Sequence, residues 1–232
     1  MKRIEGWLSG ARNVRRAGCL SALVWMLLMV AGPARAQGTD VGLVNDVSGT
    51  VSFVSEGAPQ AAVKAFMRVR QGDRFTLGNG STLRSVYIPG GRQETWRGPS
   101  AFSIGSDAGK MESGLAPVVS MVPAIAAPKL ARIPELVRGA SLGGIRVRGG
   151  ARPAGSNGPV PAQVVEAKAA YREWRKVAAA DDLAPELYLL SVYQESGYLQ
   201  DMIELADEMD RRQPGNAEVH ELAEWARRRG GG

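Results

Sequence analysis

From Val41 to Ile104 apolar and polar residues alternate in short runs, and each run stops at a turn signal. Val47, Gly49, Val51 and Phe53 share one parity, which predicts a half-buried strand. Glu56-Gly57-Ala58-Pro59 is a turn, and Val63, Ala65, Met67 and Val69 form a second extended piece. After Gln71-Gly72-Asp73-Arg74, the pair Phe75 and Leu77 predicts a strand ending in a tight hairpin at Gly78-Asn79-Gly80-Ser81. Leu83, Ser85 and Tyr87 alternate with Arg84, Val86 and Ile88, and Pro89-Gly90-Gly91 turns. Gln93, Thr95 and Arg97 then alternate with Arg92, Glu94 and Trp96, and Gly98-Pro99-Ser100 leads into Ala101–Ile104. Short strands with a turn signal every ten or so residues predict a small all-β sandwich or barrel over residues 40–106.

Past residue 160 the period changes to that of a helix. Val164, Ala167, Tyr171, Trp174 and Ala178 recur at spacings of three and four, after Pro161 and before Asp181-Asp182. Pro185 opens a second helix with Leu187, Leu190 and Tyr193 inward, closed by Ser196-Gly197. Leu199, Met202, Ile203, Ala206 and Met209 stripe a third, which ends at Arg211-Arg212. Asn216 caps a fourth, carrying Val219, Leu222, Ala223 and Ala226. Residues 107–160 read as a linker interrupted by Pro117, Pro123, Pro128 and Pro134 and rich in glycine from Gly139 to Gly158. Within it Leu130–Val137 is a short helix or turn, and Ile145-Arg146-Val147-Arg148 is a candidate strand. The expected class is α+β: a β domain at 40–106 followed by a short antiparallel helical, repeat-like module at 161–229.

The first 36 residues follow a different logic. Lys2, Arg3, Arg12, Arg15 and Arg16 precede an apolar run from Leu20 to Ala31, and Ala34-Arg35-Ala36 follows Gly32-Pro33. A charged region, a short apolar core and a small-x-small site are the parts of a secretory signal. The run is shorter than the roughly 20 residues that span a bilayer. We therefore expect cleavage after Ala36 and a periplasmic or extracellular chain; an uncleaved anchor is the alternative. Cys19 precedes the apolar core, which argues against a lipid-anchored cysteine.

The leader also changes the charge. The whole chain has 29 Lys+Arg and 23 Asp+Glu, of which the leader holds six bases and one acid. The mature part is thus nearly neutral, and its composition gives no reason to expect nucleic acid. Charge is divided within it: residues 37–153 carry 14 bases and 8 acids, and residues 154–232 carry 9 bases and 14 acids. Opposite signs suit two modules that dock on each other or face different partners. The single cysteine leaves with the leader, so a disulfide or thiolate site is not expected. His220 is the single histidine and sits among glutamates, which predicts a solvated side chain. Glu204, Asp207, Glu208 and Asp210 lack the ordered spacing of a calcium loop. No cofactor, metal or catalytic residue is expected, and the mature part has no apolar run approaching a membrane span.

Several of these turns occur in a familiar order. Ser48-Gly49-Thr50-Val51, Arg70-Gln71-Gly72-Asp73-Arg74-Phe75-Thr76-Leu77-Gly78-Asn79-Gly80-Ser81, Ile88-Pro89-Gly90-Gly91 and Arg97-Gly98-Pro99-Ser100-Ala101-Phe102 together resemble the FecR domain over about 60 residues. The resemblance implies a twisted β domain that binds partners outside the cytoplasm and carries no catalytic residues. The regulator form of that family has a cytoplasmic segment before a transmembrane helix, whereas this chain begins with a leader. Residues 183–216 resemble one degenerate tetratricopeptide repeat, with Leu189, Tyr193 and Pro214 near the expected places; Leu190, Met202 and Met209 stand where small residues belong. A plain helical bundle is the alternative.

The alternating arginines of the β domain suggest a basic face. Arg84, Arg92 and Arg97, with the aromatic Trp96, are the candidate partner-binding surface; the alternatives are scattered solvated arginines and a Trp96 packed in the core. The expected function is a non-catalytic protein-binding or scaffold role among envelope proteins. The alternatives are a structural role on an anionic cell-wall or outer-membrane polymer, or a signalling accessory to an outer-membrane receptor.

Overall fold

Strand β1 (Asp40–Ser48) begins the alternating run, and Gly49 ends it. Gly49 stands at φ +76°, with the Ser81 side chain packed where a Cβ would point. The chain therefore leaves one sheet there and enters another at β2 (Val51–Val54), so the expected continuous strand through Val47, Gly49, Val51 and Phe53 is two strands in two sheets. This is a computed structural model, and it describes residues 38–141 and 160–230. The leader and the candidate strand Ile145–Arg148 lie outside the described residues.

Eight further strands follow: β3 (Ala61–Ala62), β4 (Arg68–Arg70), β5 (Arg74–Leu77), β6 (Thr82–Tyr87), β7 (Arg92–Arg97), β8 (Ser100–Ile104), β9 (Gly109–Ser113) and β10 (Val118–Met121). They build two antiparallel five-stranded sheets, β10-β7-β6-β1-β4 (sheet A) and β3-β2-β5-β8-β9 (sheet B). The turn at Gly78–Ser81 is not the expected hairpin, because β5 and β6 belong to different sheets. Phe75, Leu77 and Phe102 of sheet B face Leu83, Tyr87 and Trp96 of sheet A and make the sandwich core. Phe53, Phe75, Phe102 and Trp96 stack in a row, the last pair with ring centroids 4.0 Å apart.

The segment expected as a linker is largely structured. It supplies β9, β10 and two helices, α1 (Ala127–Leu130) and α2 (Ile133–Ser141). Proline patterning misled here because Pro128 and Pro134 occupy first-turn positions, where the missing N–H costs nothing. The helices of the C-terminal module match their sequence pattern: α3 (Ala162–Val177), α4 (Ala184–Ser196), α5 (Leu199–Arg212) and α6 (Ala217–Gly230). Asn216 Oδ1 accepts a hydrogen bond from Val219 N at 3.2 Å and caps α6. Helix α4 is buried on every side from Ala184 to Tyr193. Its neighbours α3 and α5 flank it, and α1 packs on it from the β side.

Gly38–Gly232 is one compact unit. Its larger core joins the outer face of sheet A (Leu43, Val86) to Phe66, to α1 and α2 through Leu130 and Ile133, and to α3–α6. Arg132 ion-pairs with Glu195 at 2.6 Å, and Lys129 also pairs with that carboxylate. The architecture is α+β, with helices covering one face of a β-sandwich.

Candidate functional site

Two regions of sheet A depart from the usual rule that charge lies outside and oil inside. One is the face under the helices. The β1–β6 register shifts between Val44 and Asp46, a bulge that turns Asn45 and Asp46 toward the helices together. Arg84, opposite Asp46, and Gln93, on the next strand, point the same way. Four strand residues thus meet the α3–α4 turn, Asp181-Asp182.

Asp182 is the centre of this joint. Its side chain accepts hydrogen bonds from Asn45 Nδ2 at 3.1 Å, Gln93 Nε2 at 2.7 Å and the Ala184 backbone N–H at 2.9 Å. The last of these caps the start of α4 from two residues upstream. Arg84 is only 5 % exposed and lies among three carboxylates, at 3.5 Å from Asp46, 3.2 Å from Asp181 and 4.0 Å from Asp182. Its Nε also donates to Thr95 Oγ1 at 3.2 Å. Burial pushes the Asp46 carboxyl up to about 6; Arg84 opposes the shift, and the Asp181 and Asp182 charges add to it. A groove of about 590 Å³ opens beside Asp46, lined also by Ser48, Thr82, Asp181, Gln213 and Glu218.

The α4 helix holds a second buried carboxylate. Glu186 is fully buried and pairs with Arg175 at 3.1 Å and Arg212 at 2.8 Å, and Tyr171 Oη donates to it at 3.2 Å. Arg175 also donates to the Asp182 and Ala178 carbonyls. These contacts clamp α3, α4 and α5 together.

The other region is the flank of the sandwich where β9 and β10 are the edge strands. On the opposite flank, segment 63–67 hydrogen-bonds to both sheets: Val63 N to Val51 O, Phe66 N to Val44 O, and Val44 N to Met67 O. At the β9–β10 flank the tie is Glu94, which is buried on the inner face of β7. It accepts from Trp96 Nε1 at 3.2 Å, Arg92 Nε at 2.6 Å and the Gly109 N–H of sheet B at 3.0 Å. A Cβ on Gly109 would stand 2.6 Å from the Trp96 ring and 2.7 Å from Glu94, so only glycine allows this approach. The same burial, helped by Glu94, raises the Tyr87 hydroxyl pKa.

Outside that tie the flank is open, and apolar apart from Lys110 and Glu112 on β9. Met111, Leu115, Val118, Val119, Met121 and Ile125 are between 43 % and 70 % exposed, six of the ten large apolar side chains so exposed among the described residues. Register places Met111 opposite Phe102, and Val119 and Met121 opposite Glu94 and Arg92, all on the inner faces of their sheets. They line the mouth between the sheets, with no strand beyond to cover them among the described residues. From Ser113 to Pro128 the chain has no charged residue.

The four residues expected to share a surface do not. Strand alternation sends Arg84 under the helices, and Arg92 and Trp96 to the inner face. Trp96 is fully buried against Phe102, and Arg92 is bound to Glu94. Arg97 alone is exposed, at the end of β7. Sequence reasoning missed Asn45, Asp182, Glu94 and the β10 edge. Asp182, two residues before the Ala184-Pro185 helix start, carried a cap signal, and the uncharged stretch 113–128 carried the edge signal. His220 is exposed, as its neighbours predict, and lies 3.2 Å from Asp210. Among the described residues no helix is long and apolar enough to cross a membrane. No protein-family model, curated protein or solved structure matches the chain.

Proposed function

We propose that this chain is an exported, non-catalytic protein-binding scaffold, with a FecR-like sandwich and a helical buttress fused into one platform. The open β9–β10 flank carries this reading: apolar side chains crowd a strand edge that has no partner strand on its outer side among the described residues. Exposed apolar patches with a free ladder suit recognition of an extended protein segment by strand addition. Export rests on the charged, apolar and Ala-x-Ala parts of the leader. The polar joint supports a structural role for the helices, since Asp182 spends its acceptors on the sandwich and on α4. The anionic-polymer alternative is weakened, because Arg84 and Arg92 are neutralised by internal carboxylates.

The test is a photo-crosslinking amino acid placed at Met111 or Met121 in growing cells. We expect the exported chain to form discrete protein adducts at these positions, and none from a control position at Val177 in α3. Adducts only to lipopolysaccharide or murein, or none at all, would overturn the proposal.

A further inference from the structure

Arg84 is one guanidinium shared among three carboxylates, and the three are not equivalent. Asp181 alone is hydrogen-bonded to it, through Nη2 at 3.2 Å. Nη1 lies 3.5 Å from Asp46 Oδ2 and 4.0 Å from Asp182 Oδ1, and it is buried with no hydrogen bond. A buried charged donor left without an acceptor is costly. Asp182 is already engaged, since its oxygens accept from Asn45, Gln93 and the Ala184 N–H. Asp46 has room for another donor. Its Oδ1 accepts from Gln213 Nε2 at 3.3 Å, and no hydrogen bond reaches its Oδ2 among the described residues.

The charges around this point do not balance. Arg84 on β6 faces Asp46 on β1 and Asp181 and Asp182 in the α3–α4 turn, one cation against three anions. Gln213, after α5, brings no charge, and Glu218 of α6 lines the groove beside Asp46. Arg175 and Arg212 share a separate groove with Asp181, and both are paired with Glu186. A proton on Asp46 relieves the excess and leaves Arg84 to Asp181. Without that proton, a buried anion stands beside an unbonded N–H. The two rivals also differ in what release costs them. The Asp181 side chain is 64 % exposed and returns to water easily, whereas Asp46 is buried.

We propose that Arg84 is a proton-operated partner switch, holding Asp181 while Asp46 is protonated and turning to Asp46 when the proton leaves. The proton reaches water through the groove that Asp46 lines. Closing the gap from Nη1 to Asp46 takes a movement of less than about 1 Å, since charged pairs of this kind settle near 2.8 Å. The raised Asp46 pKa, about 6, puts the exchange between mildly acidic and neutral pH. Asp181 lines the same groove, so its release adds an unpaired carboxylate to that wall as pH rises. Gln213 Nε2 also donates to the Asp181 carbonyl at 2.8 Å, which ties the α5–α6 turn to the same event.

The experiment is a carbon-detected NMR titration of the side-chain carboxyls of the purified chain, from about pH 4.5 to about pH 8. Asp46 is expected to titrate with a midpoint of about 6. The Asp181 carboxyl carbon and the Arg84 guanidinium nitrogens are expected to shift with that same midpoint. Asp46→Asn is expected to abolish the step at Asp181 and keep Arg84 on Asp181 at every pH. Asp181→Asn removes both the competing partner and a like charge, so it is expected to lower the Asp46 midpoint by about half a unit or more. An Asp46 step with no response from Asp181 or Arg84 rules the switch out, and so does an Asp46 midpoint indifferent to Asp181→Asn. The wild-type titration needs no substitution, so a variant that fails to fold leaves the test intact.

Discussion

Sheet A meets its surroundings in two opposite ways. Under the helices it buries Asn45, Asp46, Arg84 and Gln93 around Asp182. At the β10 edge it exposes Val118, Val119 and Met121. The difference teaches that residue type alone does not locate a surface in this chain. A buried polar group is tolerable where its hydrogen-bonding atoms are met, which at this joint holds for the Asp182 carboxylate, while Asn45 Oδ1, Arg84 Nη1 and Gln93 Oε1 are buried with no hydrogen-bond partner among the described residues; a polar joint demands one geometry where an apolar contact accepts several. An exposed apolar strand is tolerable when something else covers it. The first arrangement holds two parts of one chain in fixed register; the second leaves apolar side chains in solvent.

The sharpest way to break this comparison is to remove the centre of the joint. Asp182→Ala strands donors from Asn45, Gln93 and Ala184 and unbalances Arg84, so a loss of about 3–5 kcal/mol is expected in urea unfolding. A loss under 1 kcal/mol would mean that the joint is incidental.

Titration probes the same face. Asp46 has a folded pKa of about 6, above its ordinary 3.8. Its contribution to stability is therefore complete below about pH 4 and is lost as pH rises through 6, by up to about 3 kcal/mol. Asp46→Asn should remove that slope, so the difference in unfolding free energy between the two proteins should change between pH 4 and 6.5 and level off above. A constant difference would place the carboxylate in water.

Gln93→Leu tests a single arm of the joint. It removes the 2.7 Å bond to Asp182, and about 1–2 kcal/mol is expected from the same denaturation. The smallest effect belongs to the open edge. Val118→Thr and Met121→Thr should change monomer stability by no more than about 0.5 kcal/mol, since neither side chain is covered. A larger loss would show that the edge is part of the core and not a surface.

Much of the fold was legible in the order of residues. The strands β5 to β8 and the four C-terminal helices follow local periods of two and 3.6, and these are decided within a few residues. Asn216 and Gly197 mark helix ends for equally local reasons. Which sheet each strand joins was not local. The Gly78–Ser81 turn has hairpin residues, yet β5 and β6 separate because each finds better partners elsewhere, β2 and β8 for one and β1 and β7 for the other. Pro117 and Pro123 suggested a linker, but they bracket β10, an edge strand, where the ladder on one side is free.

By itself the sequence determined the α+β class, the places of most turns, the helical stripes and the uncharged run at 113–128. Only the tertiary structure decided that Arg84 is interior, that Asp182 links sandwich to helices, and that β10 is an edge strand among the described residues. Alternation assigns a side chain to one of two faces, but whether that face meets water or another layer depends on contacts made by residues more than a hundred positions away, such as Asn45 with Asp182.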